Sequence, residues 1–344
     1  MKALVWTGVE TMEMRETEMP VCGADEVLIR IEAVGICGSE IEGYLGHNSL
    51  RVPPLVMGHE CCGIVVALGS DLSAGQPVSV GQKVVVNPLL SCGECGLCRK
   101  GLPQLCGERR LVGVHRPGAF GEYVAVPCSA VVPVPEDMPS VRAALSEPLA
   151  CSLRATRLAL DGHPFAGVLV FGAGGIGLLC AMTAKLLGAS RVMIVDTNAK
   201  RLELAASLGI GEIARPDEVN LADRAQEVYG KNGLDVVIDA AGFQPTREAA
   251  VRLLRPGGTL MNIGLGIDDT TLPINHQIRS EISILGSFCY TRQDFHDAVR
   301  LLAGGRITET GWTEIRPLAS GGEAFADLVA GRVHSGKIIL QVRN

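Results

Sequence analysis

Aromatic side chains are scarce in this sequence: two Trp, four Tyr and seven Phe make up 4% of 344 residues. Positive charge is also short, since the formal net charge is -6 and no run of five or more basic residues occurs. Such a chain lacks the field that draws a phosphate backbone or an anionic membrane, which argues against nucleic-acid and membrane partners. No stretch of about 18 apolar residues is present, so no membrane span is expected. Met1–Thr7 holds one charge and a short apolar stretch, well short of a secretory signal, and the cytoplasm is the expected location. Without an export signal, the twelve cysteines do not read as a disulfide scaffold. Four of them fall between Cys92 and Cys106, and cysteines clustered in a reducing compartment read first as a metal site.

What is abundant is glycine, 42 residues, within a composition that is 47% hydrophobic and 20% charged. That is a soluble globular composition of α/β type, and its length exceeds what one core usually holds, so two domains are expected. The first third reads as short β-prone runs divided by Gly, Pro, Asp and Asn: Lys2–Thr7, Glu26–Val34, Gly63–Leu68, Lys83–Asn87 and Gly121–Val126. A mostly antiparallel, barrel-like domain follows from that pattern. Near residue 145 the pattern changes. Strand-like runs at Val168–Phe171, Arg191–Asp196, Asp235–Asp239, Thr259–Gly264 and Ile282–Gly286 alternate with helical stretches at Ile176–Leu187, Lys200–Leu208 and one ending through Ala249–Leu254 at Pro256. Alternation of this kind means a doubly wound parallel sheet. The tail adds a helix over Asp294–Leu302 and a last strand over Gly336–Val342, which is free to return to the first domain. No fixed-period repeat or low-complexity tract was found.

Gly172-Ala173-Gly174-Gly175-Ile176-Gly177 is a GxGxxG pattern, weak alone in so glycine-rich a chain. Here it follows a strand, opens a helix, and is succeeded 19 residues after Gly177 by Asp196 at the end of the next strand. Gly172 permits the tight turn, Gly174 the approach of a pyrophosphate and Gly177 close helix–strand packing. The helix N-terminus, with Gly175 and Ile176, supplies amide donors. Asp196 can take both ribose hydroxyls and would repel a 2′-phosphate, which favours NAD over NADP. Arg201 can stack on adenine or tolerate NADP, and Gly264, ending a later strand, joins the expected cofactor residues. A Gly-rich structural turn is the plain alternative.

Cys92-x2-Cys95-x2-Cys98-x7-Cys106 can surround one tetrahedral zinc with no open position, which makes the site structural. Gly93, Gly96, Gly101 and Gly107 let the loop wrap tightly. An iron–sulfur cluster takes the same ligands, but nothing else suggests electron transfer. Separately, Gly35-Ile36-Cys37-Gly38-Ser39-Glu40 follows a strand, Gly58-His59-Glu60 lies about twenty residues on, and Glu147-Pro148-Leu149 falls where the β pattern gives way to α/β. Thiolate, imidazole and carboxylate together make an open zinc site with a position for water or substrate. Each is weak alone, since a lone Cys is usually a small buried hydrophobe.

Taken in this order, with the late Gly286-Ser287-Phe288-Cys289-Tyr290, the motifs resemble those of the zinc-containing alcohol and polyol dehydrogenases of the medium-chain dehydrogenase/reductase superfamily, in its sorbitol/threonine dehydrogenase-like branch. The resemblance covers essentially the whole chain. It implies a GroES-like β-barrel catalytic domain of residues 1–149 and 288–344, with its zinc lobe near 88–110, and a Rossmann domain of residues 150–287, the active site lying in the cleft between them. It implies two zinc ions per chain, NAD, and a homo-oligomer, dimer or tetramer. Cys37 and His59 look like catalytic-zinc ligands; the third is open between Glu60, which binds in the polyol branch, and Glu147, where ethanol-type enzymes have Cys. Ser39 matches the hydroxyl that relays the substrate proton, and Glu40 stands where the family usually has Asp beside the zinc-bound His. His47 is either a proton exit or a surface residue.

The expected activity is hydride transfer between a secondary alcohol, or its ketone, and the nicotinamide, with zinc as Lewis acid. Tyr44, His47, Arg51, His115 and Phe288 are expected near the substrate, and a polar set of this kind suits a polyol, sugar or cyclitol. Arg51 keeps an acidic or phosphorylated substrate open, with NADP as the other cofactor. A zinc-free reductase is disfavoured by the Cys37, His59, Glu147 set, and a nucleic-acid-binding zinc ribbon by the net charge. A catalytically inactive zinc-binding protein of the same fold is the reading from another class. Cys22, Cys61, Cys62, Cys128, Cys151, Cys180 and Cys289 receive no functional role.

Overall fold

A computed structural model describes residues 1–72 and 78–342. The chain divides into two compact units: Met1–Glu147 with Thr291–Val333 and Lys337–Asn344, and Pro148–Tyr290 with His334–Gly336.

The first unit is built on antiparallel pairing. The Glu26–Gly35 strand is its hub. It pairs along most of its length with Glu60–Leu68, over its first half with Tyr123–Pro127, and at its end with Lys337–Gln341. A three-stranded sheet of Lys2–Gly8, Thr11–Glu16 and Leu55–Val56 lies beside it. Alternation along Glu26–Gly35 sends Val27, Ile29 and Ile31 into a continuous apolar core with Trp6, Met57, Phe120 and Phe325. The last strand also pairs in parallel with Thr313–Pro317, so residues near the two ends of the chain share one sheet.

The second unit is a six-stranded, wholly parallel sheet in the order Glu212–Ala214, Arg191–Val195, Gly167–Phe171, Leu234–Asp239, Leu254–Asn262, Ser283–Gly286. This is the doubly wound α/β architecture that the alternating sequence pattern predicts. Gly167–Phe171 is buried along its whole length, as a central parallel strand covered on both faces must be, hence its unbroken apolar run. The order of strands reverses between Gly167–Phe171 and Leu234–Asp239, the place where such sheets bind ligands. Among the described residues, no helix is long and apolar enough to cross a membrane.

Local differences from the sequence expectations have physical causes. Thr11–Glu16 is a strand outside the sequence expectations: Met12 and Met14 alternate with polar residues, but the run is short and exposed along almost its whole length. Pro256 does not close the preceding helix, which ends at Leu253; it lies inside the Leu254–Asn262 strand. The register with Leu234–Asp239 jumps from Leu254 to Thr259, so Arg255-Pro256-Gly257-Gly258 forms a bulge and the missing amide of Pro256 breaks no ladder bond. Leu169 is wholly buried at the centre of the parallel sheet. Leu169→Ala should lower the stability of this unit by about 2–5 kcal/mol, read as an earlier urea midpoint with an unchanged slope.

Candidate functional site

The pairing of Gly35 with Glu60 brings the ends of two strands together. Beyond Gly35 the chain turns into the short helix Gly38–Tyr44 with Cys37 as its N-cap; His59 immediately precedes Glu60. One donor atom each from Cys37, His59 and Glu60 therefore lies within 4.8 Å of the others. Thiolate, imidazole and carboxylate at that separation fit a single small cation.

The cluster is framed by a second carboxylate. Glu40 is fully buried; its Oε1 accepts from the Gly58 amide (2.8 Å) and meets His59 Nδ1 at 2.9 Å, while its Oε2 accepts from the Cys37 amide (3.0 Å). Burial alone pushes its carboxyl upward. The charge of His59, its hydrogen bond, Arg51 and the Cys37 amide more than reverse this, and the group sits below its ordinary value. An ionised carboxylate only accepts, so Nδ1 is the protonated nitrogen of His59 and Nε2 is left to bind a metal. Glu in place of the usual Asp loses nothing here, because the longer arm closes a capping box on its own helix while reaching His59. For His59, burial disfavours the imidazolium, and Glu40 and Cys37 outweigh it, drawing the ring well above its usual range.

Glu60 is fully buried as well, and both its oxygens meet Lys337 Nζ, at 2.7 and 2.8 Å. Lys337 also donates to the Ile36 carbonyl (3.2 Å). Burial opposes its charge, but Glu60 above all, then Cys37 and Glu147, hold the ammonium above its ordinary value. Sequence reasoning missed Lys337, although a lysine opening the otherwise apolar run Ile338-Ile339-Leu340 was a visible signal.

The remaining sequence-expected residues fall as follows. Ser39 is half-buried and its Oγ donates to Cys37 Sγ at 3.4 Å. Glu147 is buried in the first turn of Ser146–Leu160; it stands outside the Cys37, His59, Glu60 cluster but its charge reaches Lys337. Tyr44 is not a pocket residue: it packs on Phe325 with ring centroids 5.3 Å apart, in the core. His47 is exposed and pairs with Glu42. Arg51 is buried against Ser39. His115 Nδ1 accepts from the Leu111 amide, which leaves its Nε2 to carry the proton. Phe288 lies in the other unit, partly exposed.

The four clustered cysteines lie in a lobe closed by the two-stranded pairing of Leu89–Leu90 with Arg110–Leu111. Their sulfurs all lie within 4.8 Å of one another, with Cys92 3.9 Å from Cys98 and 3.5 Å from Cys106. A tetrahedral zinc with bonds of about 2.3 Å needs sulfurs about 3.8 Å apart, and a disulfide needs about 2.05 Å, so the spacing fits the metal. Sulfurs this close enclose one ion and leave no room for an iron–sulfur cluster. Backbone amides already point at the sulfurs, from Cys95 to Cys92 and from Cys98 to Cys95. Chiefly through the Cys98 amide, the Cys95 thiol is lowered to about 7.

In the second unit, Gly172–Gly177 forms the turn from the central strand into the helix Gly175–Leu186. Gly177 is sterically obligatory: a Cβ there would lie 1.8 Å from the Gly172 carbonyl oxygen. A Cβ on Gly174 would meet nothing within 4 Å, so open space faces a helix N-terminus that no side chain caps, as a pyrophosphate requires. Asp196 accepts from the Ala173 amide (2.7 Å) through one oxygen and the Asn198 amide (2.8 Å) through the other, which fixes its carboxylate beside the turn with a further lone pair on each oxygen. Arg201 begins the helix that follows, its amide bonded to Asn198 Oδ1. Gly264 is bonded through its amide to the Asp239 carbonyl and through its own carbonyl to Arg247.

Residues 23–136 match the family model of the alcohol dehydrogenase GroES-like domain, and residues 175–304 that of zinc-binding dehydrogenases. The chain is 35% identical to L-galactonate-5-dehydrogenase of Escherichia coli over 89% of this chain and 86% of that one. It is 31% identical to D-xylulose reductase A of Aspergillus oryzae over 94% and 90%. A crystal structure from Sinorhizobium meliloti 1021, assigned as a zinc-binding dehydrogenase and bound to NADP, superimposes with a TM-score of 0.90 at 30% identity, over 99% of this chain and 98% of that one. The chain thus belongs to the zinc-binding alcohol dehydrogenases with a GroES-like domain, in the branch that contains sugar and polyol dehydrogenases.

Proposed function

We propose that this enzyme transfers a hydride between a secondary alcohol of polyol, sugar or cyclitol type and NAD. The observation that carries the reading is the Cys37, His59, Glu60 cluster, buried, oriented by Glu40 and balanced in charge by Lys337. These three residues would hold the catalytic zinc, with Glu147 as a second carboxylate at hand; Cys92, Cys95, Cys98 and Cys106 would hold a structural zinc. When bound, the catalytic zinc acts as a Lewis acid on the alcohol oxygen and so eases loss of its proton. Cys37 and Glu60 bring negative charge to that position, and Glu40 fixes which nitrogen of His59 faces it. Ser39, half-buried beside Cys37, is placed to take up the alcohol's proton and pass its own outward.

Gly172, Gly174, Gly175, Ile176 and Gly177 would receive the pyrophosphate, with Gly264 on the neighbouring turn. Asp196 would take the ribose hydroxyls and disfavour a 2′-phosphate; Arg201 is the residue that could soften that choice. The relatives' activities on L-galactonate and D-xylulose support a polyhydroxylated substrate.

The test is a panel of polyols, sugars, cyclitols and simple secondary alcohols offered to the zinc-replete protein with NAD or NADP, followed by absorbance of the reduced cofactor. Turnover with a polyhydroxylated group and NAD is expected. Turnover with NADP alone would overturn the role given to Asp196, and silence with both would overturn the reading. Cys37→Ala and His59→Ala should each abolish turnover and remove one equivalent of zinc while NADH still binds by fluorescence titration. Glu40→Ala should weaken zinc retention or activity by about 10- to 100-fold. Cys95→Ser should release the other equivalent and lower the melting temperature.

A further inference from the structure

Arg51 stands between Leu50 and Val52, which are 61% and 71% exposed, yet it is itself only 5% exposed. Its side chain turns inward over Gly43, where a Cβ would lie 2.7 Å from Arg51 Cδ and would push the stem aside. The guanidinium then divides between two atoms of one residue: Nη1 donates to the Ser39 carbonyl (2.9 Å) and Nη2 to Ser39 Oγ (3.2 Å). Its Nε is buried without a partner, and Arg51 makes no ion pair among the described residues. Of the charged groups, Glu40 and His115 both feel its charge. Glu40 is already fully engaged with Cys37, Gly58 and His59. The hydrogen bonds of Arg51 go to a serine and not to a carboxylate, while the charge of the buried Glu40 compensates it at longer range.

We propose that Arg51 is a positioning residue for the reaction, acting through Ser39. Arginine donates and never accepts, so the Nη2 hydrogen bond occupies a lone pair of Ser39 Oγ and obliges the hydroxyl hydrogen to point elsewhere, here to Cys37 Sγ. The second lone pair is left for the alcohol's O–H. In the transfer, the Ser39 hydrogen turns from Cys37 Sγ to a solvent water and passes to it as the alcohol's proton moves to Ser39 Oγ. No bond to Arg51 forms or breaks, and it is not a stop on the path because it cannot take a proton. Its contribution is to hold Ser39 Oγ in place and to set a permanent positive charge beside oxygens that gain negative charge during the transfer. The inference rests on the reading of Ser39 given above.

The test is a double-mutant cycle on the zinc-replete enzyme with its best alcohol and cofactor: wild type, Arg51→Gln, Ser39→Ala and the double variant, with Arg51→Lys as the charge-retaining control. Arg51→Gln should lower kcat by about 10- to 100-fold, with KM for the alcohol, zinc content and NADH affinity unchanged. Arg51→Lys should recover part of the loss. In the Ser39→Ala background, Arg51→Gln should add no further loss, because the residue it acts through is gone. Equal losses in both backgrounds, loss of zinc from Arg51→Gln, or native kcat in that variant would overturn the proposal while leaving the dehydrogenase reading intact. Native kcat in Ser39→Ala would remove the relay and Arg51's role together, and a wild-type enzyme silent on every alcohol would overturn the functional reading and, with it, this inference.

Discussion

The Cys37, His59, Glu60 cluster depends on one carboxylate that stands outside it. Glu40 is wholly removed from solvent, where an uncompensated charge would cost several kcal/mol. Its compensation comes from three N–H groups belonging to the two segments that the cluster must bring together: the Cys37 amide from one, and the Gly58 amide and His59 ring from the other. The free energy that keeps Glu40 ionised is thus the same free energy that fixes the thiolate and the imidazole face to face. Shortening this side chain, or moving either segment, would leave a buried acceptor unsatisfied, and that penalty makes the geometry stiff.

Charge balance then explains the rest of the surroundings. Glu60 brings a second buried negative charge, and Lys337 answers it with both carboxylate oxygens in hydrogen-bond range. Cys37 and Glu147 add to the negative field that Lys337 feels. A thiol and two carboxyl groups gathered around one ammonium make a composition that would suit a divalent cation. The four-cysteine lobe solves a different problem. Its sulfurs are tied by amide hydrogen bonds within a loop of their own, and four thiolates around one zinc would brace that loop and leave no position for a substrate.

Much of this was legible in the sequence, and the legible parts share a physical cause. Parallel strands buried on both faces must be continuously apolar, so Val168–Phe171 and its neighbours announce themselves, and tight phosphate turns must be glycine, so Gly172–Gly177 does too. Cysteine spacing in the lobe is a local property of one loop. What escaped was set by tertiary context. The Thr11–Glu16 strand is solvated, and its alternation is limited to Met12 and Met14. Pro256 looked like a helix stop because nothing local reveals that a bulge removes it from the ladder. Tyr44 is expected near the substrate by its position in the family pattern, yet its ring belongs to the core. Lys337 was the hardest, since a cation's sequence position says nothing of which buried partner will claim it, and the same holds for the choice of Ser39 by Arg51.

Lys337 shows why the site and the fold are a single problem. It is separated from Glu60 by 277 residues, nearly the whole chain, yet closing so long a loop costs little more than closing one of half the length. What the pairing demands is register. Ile339 lies opposite Gly35, and Gly35 opposite Glu60, so the end of the Glu26–Gly35 strand is clasped between the strand that supplies the carboxylate and the strand that supplies its counter-charge. Side chains alternate along a strand, and a slip of one residue would turn Lys337 to the other face and leave Glu60 buried and unpaired. Ile338, Ile339 and Leu340 are all buried, so core packing alone does not choose between the two faces, and the ion pair holds the register by the cost of stranding two charges. The last strand to be made thus completes the sheet and neutralises Glu60 in the same act of docking.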